Sequence, residues 1–157
     1  MGRPTSFYYQ SPKNCGADNC AQEVLALGTP FLWWLGAIAL AVVFGFWIRS
    51  FAQKRYEPSL NIIIAGIAAG YLPWFFFQKR TVFSFYAIVF EPFLILAIIY
   101  CAYVALIHFK NSRNTYIFMG AIGAAILINY IYFLPLFTGD VITYESWQAR
   151  MWLPSWI

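Results

Sequence analysis

Charge is scarce in this chain. Lys, Arg, Asp and Glu make up 10% of its 157 residues, against about 25% in soluble domains. That shortage excludes an ordinary water-soluble globule. Ten cations outnumber six acids, but the basic residues come in ones and twos between apolar runs, so the footprint of a nucleic-acid partner is missing. Histidine occurs once, as His108, in a different loop from the paired cysteines, which leaves no set of zinc ligands. There is no Gly-rich phosphate loop, no nucleophile triad, no internal repeat and no low-complexity stretch. Nothing calls for a cofactor. The first 24 residues are polar and lack the short apolar core of a signal peptide.

What the chain has instead is apolar length. Hydrophobic residues make up 62% and aromatics 22%, with a mean hydropathy of +0.64. The pattern predicts an all-α integral membrane fold of four transmembrane helices joined by short loops. The expected spans are 31–48, 59–77, 81–107 and 115–137, each long enough at ~1.5 Å per residue to cross a ~30 Å hydrocarbon core. Thr29 and Pro30 suit the start of the first, Ser59 or Asn61 the second, and Thr81 the third. Glu91-Pro92 interrupts the third span. Residues 1–30 read as a loop segment, 31–138 as the four-helix module, and 139–157 as a Trp- and Arg-rich interfacial tail.

Four spans put both termini on one side. Arg49, Lys54, Arg55, Lys110 and Arg113 crowd the two short loops 49–59 and 108–114. Cations at that density mark the cytoplasmic side. Both termini and the turn at Lys79-Arg80 then face outward. So does "CGADNC", where Cys15 and Cys20 are spaced to close a small disulfide loop on an oxidising face. Cys101 lies in an apolar run as a packing residue. Gly66 and Gly70, Gly120 and Ala124, and Ala121 and Ala125 are spaced as helix-packing faces.

The stretch "YLPWFFFQKR", residues 71–80, ends an apolar run on two cations and re-enters apolar sequence at once. Lys79 and Arg80 are either snorkelling interface cations or an anion clamp, since a guanidinium presents a planar fork to phosphate. Tyr71, Trp74 and Gln78 share a helix face beside them, and Pro73 bends the helix end. Glu91 reads as a mid-span carboxylate, either neutral and hydrogen-bonded or carrying a proton or substrate role.

The order "GRPTSFYY", a Cys pair, "EVLALGTPFLWW", "GYLPWFFFQKRTVFSFYAIVFEPF" and the terminal "YESWQARMWLPSWI" resembles the C-terminal part of actinobacterial protein O-mannosyltransferases, over essentially the whole chain. The resemblance implies a GT-C type fold in a bacterial cell membrane. It implies transfer of mannose from a polyprenyl-phosphate-mannose lipid to Ser or Thr of secreted proteins at the outer face. In eukaryotic members a Tyr–Pro stretch is followed by an Arg, which Arg80 matches. Their following His–Tyr pair stands here as Phe85-Tyr86, so no role for that His carries over. The family's Asp-Glu catalytic pair lies near its N-terminus, and no Asp is directly followed by Glu anywhere in this sequence. The chain is therefore expected to hold no catalytic carboxylates and to be inactive alone. Its N-terminal half is expected as a partner, with Met1 an internal methionine or a truncated start. Donor contact is expected from Arg80 first, then Lys79, Tyr71 and Trp74, with Tyr86 and Arg150 behind them. A non-catalytic four-span scaffold or lipid-binding subunit is the alternative, and a proton-linked transporter built on Glu91 a more distant one.

Overall fold

The computed structural model describes residues 4–12, 19–77, 84–110 and 112–156. Four helices are long and apolar enough to cross a membrane: α1 (Pro30–Ala52), α2 (Pro58–Tyr71, continued by a 3₁₀ helix, Leu72–Phe77), α3 (Glu91–His108) and α4 (Arg113–Thr138). A second 3₁₀ helix, Ser84–Val89, precedes α3. Outside these helices the chain forms a small sheet of β1 (Thr5–Gln10), β2 (Cys20–Ala26) and β3 (Ile142–Thr143), followed by α5 (Tyr144–Gln148) and a last 3₁₀ turn, Pro154–Trp156. The residues fall into two compact units.

One unit holds α1, α2, α3 and the first half of α4. Its core is Ala39 and Val43 of α1, Leu60 and Ile63 of α2, and Ala97 of α3. Small residues let these helices close up. A Cβ on Gly66 would lie 2.1 Å from Cε1 of the Phe93 ring, and one on Gly70 would sit 2.9 Å from Phe90 Cβ. Gly66 and Gly70 thus form the groove that takes two phenylalanines of α3. The matching small positions of α4 are different: among the described residues, a Cβ on Gly120 or Gly123 meets nothing within 4 Å. Gly66→Ala is expected to destabilise the protein by about 1–3 kcal/mol, because the Phe93 ring must leave its rotamer. Thermal melts of the complete detergent-solubilised protein check this. Adding Phe93→Leu to Gly66→Ala restores most of the loss if the clash is its cause.

Two helix starts differ from the sequence expectation, and proline is the reason both times. α2 opens at Pro58, with Glu57 as an N-cap that makes no side-chain bond. Asn61, a candidate start, instead accepts a 2.9 Å hydrogen bond from the Trp47 indole of α1. α3 opens at Glu91-Pro92 rather than running through them. Proline suits the first turn of a helix, where its missing N–H costs nothing, and disrupts an interior. Glu91 therefore stands in the first turn of α3 and not mid-span.

The other unit joins the sheet, the second half of α4 and the tail. β1 pairs antiparallel with β2, with a bulge between Ser6 and Tyr8, and β2 pairs with β3 through Cys20↔Thr143 and Ala21↔Ile142. Ala21, Glu23 and Leu25 alternate along β2, and all three are buried. The apolar pair packs with Phe133 and Leu136 of α4 and with Trp147, Met151 and Trp156 of the tail. The tail, expected to lie flat as an interfacial segment, is thus folded onto a core of its own. α4 ends at Gly139, whose φ of +74° favours glycine. The amides of Gly139 and Asp140 both donate to Pro135 O at 3.0 Å.

Candidate functional site

The aromatic cluster forms where α2 ends and α3 begins. Pro73 sits at the changeover from α-helix to 3₁₀ helix, which winds the chain more tightly. The Trp74 indole N–H donates back to Gly70 O at 3.1 Å. That bond leaves the Trp74 face to pack on Tyr86 of the second 3₁₀ helix, with ring centroids 4.7 Å apart and planes at 33°. Tyr71 meets Phe90 edge-on at 5.8 Å and Phe75 at 5.5 Å. Phe90 also meets Trp33 of α1 edge-on at 5.9 Å. Edge-on and offset pairs of this kind suit the aromatic quadrupole and fix ring orientation.

Of the expected donor-contact residues, Trp74 and Tyr86 thus pack on one another, and Tyr71, at the end of α2, packs on Phe75 and Phe90. Tyr71 is half exposed, and among the described residues its hydroxyl has no hydrogen-bond partner. The exposed ring and free hydroxyl give the cluster an amphipathic surface able to stack on a sugar and donate to an oxygen. Lys79 and Arg80 belong by sequence to the link between the two 3₁₀ helices, residues 78–83, and lie outside the described residues. Phe90 and Trp33 are the additions that sequence reasoning missed. Neither shares a helix with Tyr71, so no spacing rule connects them.

Arg150 lies in the other unit and is already engaged there. Its Nε donates to Tyr132 O at 2.7 Å and its Nη1 to Ser146 O at 2.6 Å, with Ser146 Oγ beside it. The guanidinium carbon sits 4.6 Å over the Tyr132 ring. The Tyr132 hydroxyl returns a 3.0 Å bond to Ala149 O. Arg150 therefore ties the tail to α4. Nearby, the buried Glu23 carboxylate accepts a 2.6 Å hydrogen bond from the Trp147 indole. This contact was also missed, and only the apolar-side register of Glu23 in β2 hints at it. Cys20 is disulfide-bonded and Cys101 is a free thiol. Cys15, the expected partner, lies outside the described residues.

A family model described as the C-terminal four TMM region of protein-O-mannosyltransferase matches residues 1–156. Among curated proteins, the chain is 32% identical over 151 residues to the polyprenol-phosphate-mannose–protein mannosyltransferase of Mycobacterium tuberculosis. That match covers 94% of this chain and 28% of that protein. The Mycolicibacterium smegmatis protein of the same name is 31% identical over 156 residues, with the same two shares covered. The Corynebacterium glutamicum protein is 29% identical over 166 residues, covering 99% of this chain and 30% of its own length. This chain thus spans less than a third of the length of these relatives. No solved structure matches it.

Proposed function

The chain belongs to the protein O-mannosyltransferases as their C-terminal four-span region, and from that premise we propose that it holds the lipid-phosphate end of the mannose donor. The observation that carries this reading is the Tyr71–Trp74–Tyr86 cluster flanking the link that bears Lys79 and Arg80. The proposed reaction transfers mannose from a polyprenyl-phosphate-mannose lipid to a Ser or Thr hydroxyl of a secreted protein. The polyprenyl chain lies among the membrane helices and its phosphate at the outer rim. Tyr71 and Trp74 face the sugar, and Arg80, with Lys79, faces the phosphate.

As the bond between the sugar and its oxygen breaks, negative charge grows on the departing phosphate. A guanidinium fixed there interacts more strongly with the transition state than with the ground state, which is what accelerates a reaction. The base that takes the acceptor hydroxyl proton comes from the remainder of the enzyme, where the family keeps its Asp-Glu pair. Both termini and the 78–83 link face outward in this proposal, and the disulfide at Cys20 supports that side being oxidising. The chain acts as part of the longer enzyme, in a bacterial cell membrane.

The test is a transfer assay on membranes holding the complete protein. Radiolabelled mannose supplied as polyprenyl-phosphate-mannose is expected to appear on protein and to be released by alkaline β-elimination, as an O-linkage to Ser or Thr requires. Membranes that transfer no label, beside an active relative assayed in parallel, would sink the proposal.

A further inference from the structure

At the other end of the helical unit, about 24 Å further along α1 than Trp33, lies a cavity of about 210 Å³ that the proposed reaction does not use. Its floor is apolar: Leu60, almost fully buried, with Phe46 and Tyr100, whose rings meet at 6.4 Å. Its rim carries Arg49, Arg55 and Glu57. Arg49 belongs to the last turn of α1. The chain then reverses through Lys54, at φ +53°, with Lys54 N donating to Phe51 O at 3.0 Å and Arg55 N to Ser50 O at 2.9 Å. That reversal brings Arg55 to the cavity that Arg49 also lines. Among the described residues neither guanidinium has an ion-pair or hydrogen-bond partner, and the Glu57 carboxylate has none either.

We infer that this cavity binds the headgroup of a glycerophospholipid, its phosphate held between Arg49 and Arg55. Three features select that ligand. Two guanidiniums offer planar forks matched to phosphate oxygens. The floor beneath them is apolar and opens among helices long enough to span a bilayer, at the depth where headgroups lie. Glu57, exposed on the same rim, offers an acceptor to a glycerol hydroxyl or an ammonium in the headgroup. The cavity has room for a headgroup and not for two acyl chains, so the chains lie outside along the helices.

The experiment uses the complete protein, delipidated in detergent and examined by native mass spectrometry with short-chain phosphatidylglycerol. One bound lipid is expected on the wild type. The Arg49→Gln/Arg55→Gln variant should bind it at least about tenfold more weakly, with an unchanged melting temperature in the absence of lipid. Inorganic phosphate at matching concentration should not displace the lipid. Equal binding by variant and wild type overturns the inference, returning both arginines to solvated boundary cations. Displacement by inorganic phosphate at a similar midpoint overturns it too, because the site is then one for soluble phosphates. Should the double variant melt early, Glu57→Gln provides the second reading. Wild type is expected to prefer phosphatidylglycerol over phosphatidylmethanol of equal chain length, and Glu57→Gln to erase that preference. No preference in the wild type counts against the inference. Mannose transfer enters none of these readings, so failure here leaves the proposed reaction untouched.

Discussion

Arg80→Ala in the complete protein is expected to lower the proposed mannose transfer by about 10²–10³-fold, the usual consequence of removing one fixed donor aimed at developing charge. In the proposed reaction negative charge grows on the donor phosphate as the sugar leaves, so the transition state carries more of it there than the bound donor does. The loss therefore falls mainly on kcat, with a smaller rise in KM for the lipid donor, whose phosphate is already anionic when bound. Lys79→Ala has a smaller effect, since an ammonium is a compact point charge without the bidentate fork. Arg80→Lys recovers part of the rate for the same reason. Steady-state transfer from polyprenyl-phosphate-mannose, measured on membranes with matched protein levels, checks each expectation. A melting temperature equal to wild type shows that the protein remains folded. Transfer undiminished in Arg80→Ala removes the phosphate role from this residue altogether.

Arg150→Ala is expected to act in the opposite way, on stability and not on donor affinity. Its guanidinium bonds Tyr132 O and Ser146 O and covers the Tyr132 ring. Hydrogen bonds made by a charged group contribute about 1.5–3 kcal/mol each when well placed. These share one half-buried side chain, so solvent screening and non-additivity reduce the sum. A loss of about 2–3 kcal/mol follows, read as a lowered melting temperature of the complete protein. Arg150→Lys keeps the charge over the ring but cannot bond both carbonyls at once, and it recovers less than half. Below the melting transition, KM for the donor lipid stays at the wild-type value. A raised KM with an unchanged melting curve reverses the assignment and returns Arg150 to the donor.

The spans were legible because apolar runs of membrane length admit few other readings, and the Gly66–Gly70 face was legible from spacing alone. Tyr71 and Trp74 could be placed near one another because they sit three residues apart, although α2 ends at Tyr71 and Trp74 belongs to the 3₁₀ helix that continues it. Phe90 could not be added, because its approach to Tyr71 depends on Gly70 lacking a side chain, a fact about two helices together. The sheet was missed for a similar reason. "CAQEVLA" carries a carboxylate at a buried register position, which disguises its apolar face, and β3 is only two residues long. Glu91 was displaced from mid-span to a helix start by Pro92, whose preference for the first turn was outweighed, on reading, by the apolar sequence on both sides. The role of Arg150 is set by a carbonyl on α4, and no local pattern announces it.

The bond between Glu23 and Trp147 joins residues 124 positions apart. During synthesis Glu23 of β2 emerges 124 positions ahead of the tryptophan that its buried carboxylate meets. Between the two events all four hydrophobic segments must enter the bilayer. β1 and β2 can pair as a hairpin at once, but the face bearing Ala21, Glu23 and Leu25 gains Phe133 and Leu136 only with α4, and Trp147 later still. This part of the protein therefore completes only after membrane insertion, whatever the order in which the helices assemble. Trp147 thereby serves as a checkpoint: a chain broken off before it leaves a strand face partly uncovered and a buried carboxylate unanswered, the kind of surface that chaperones and proteases recognise.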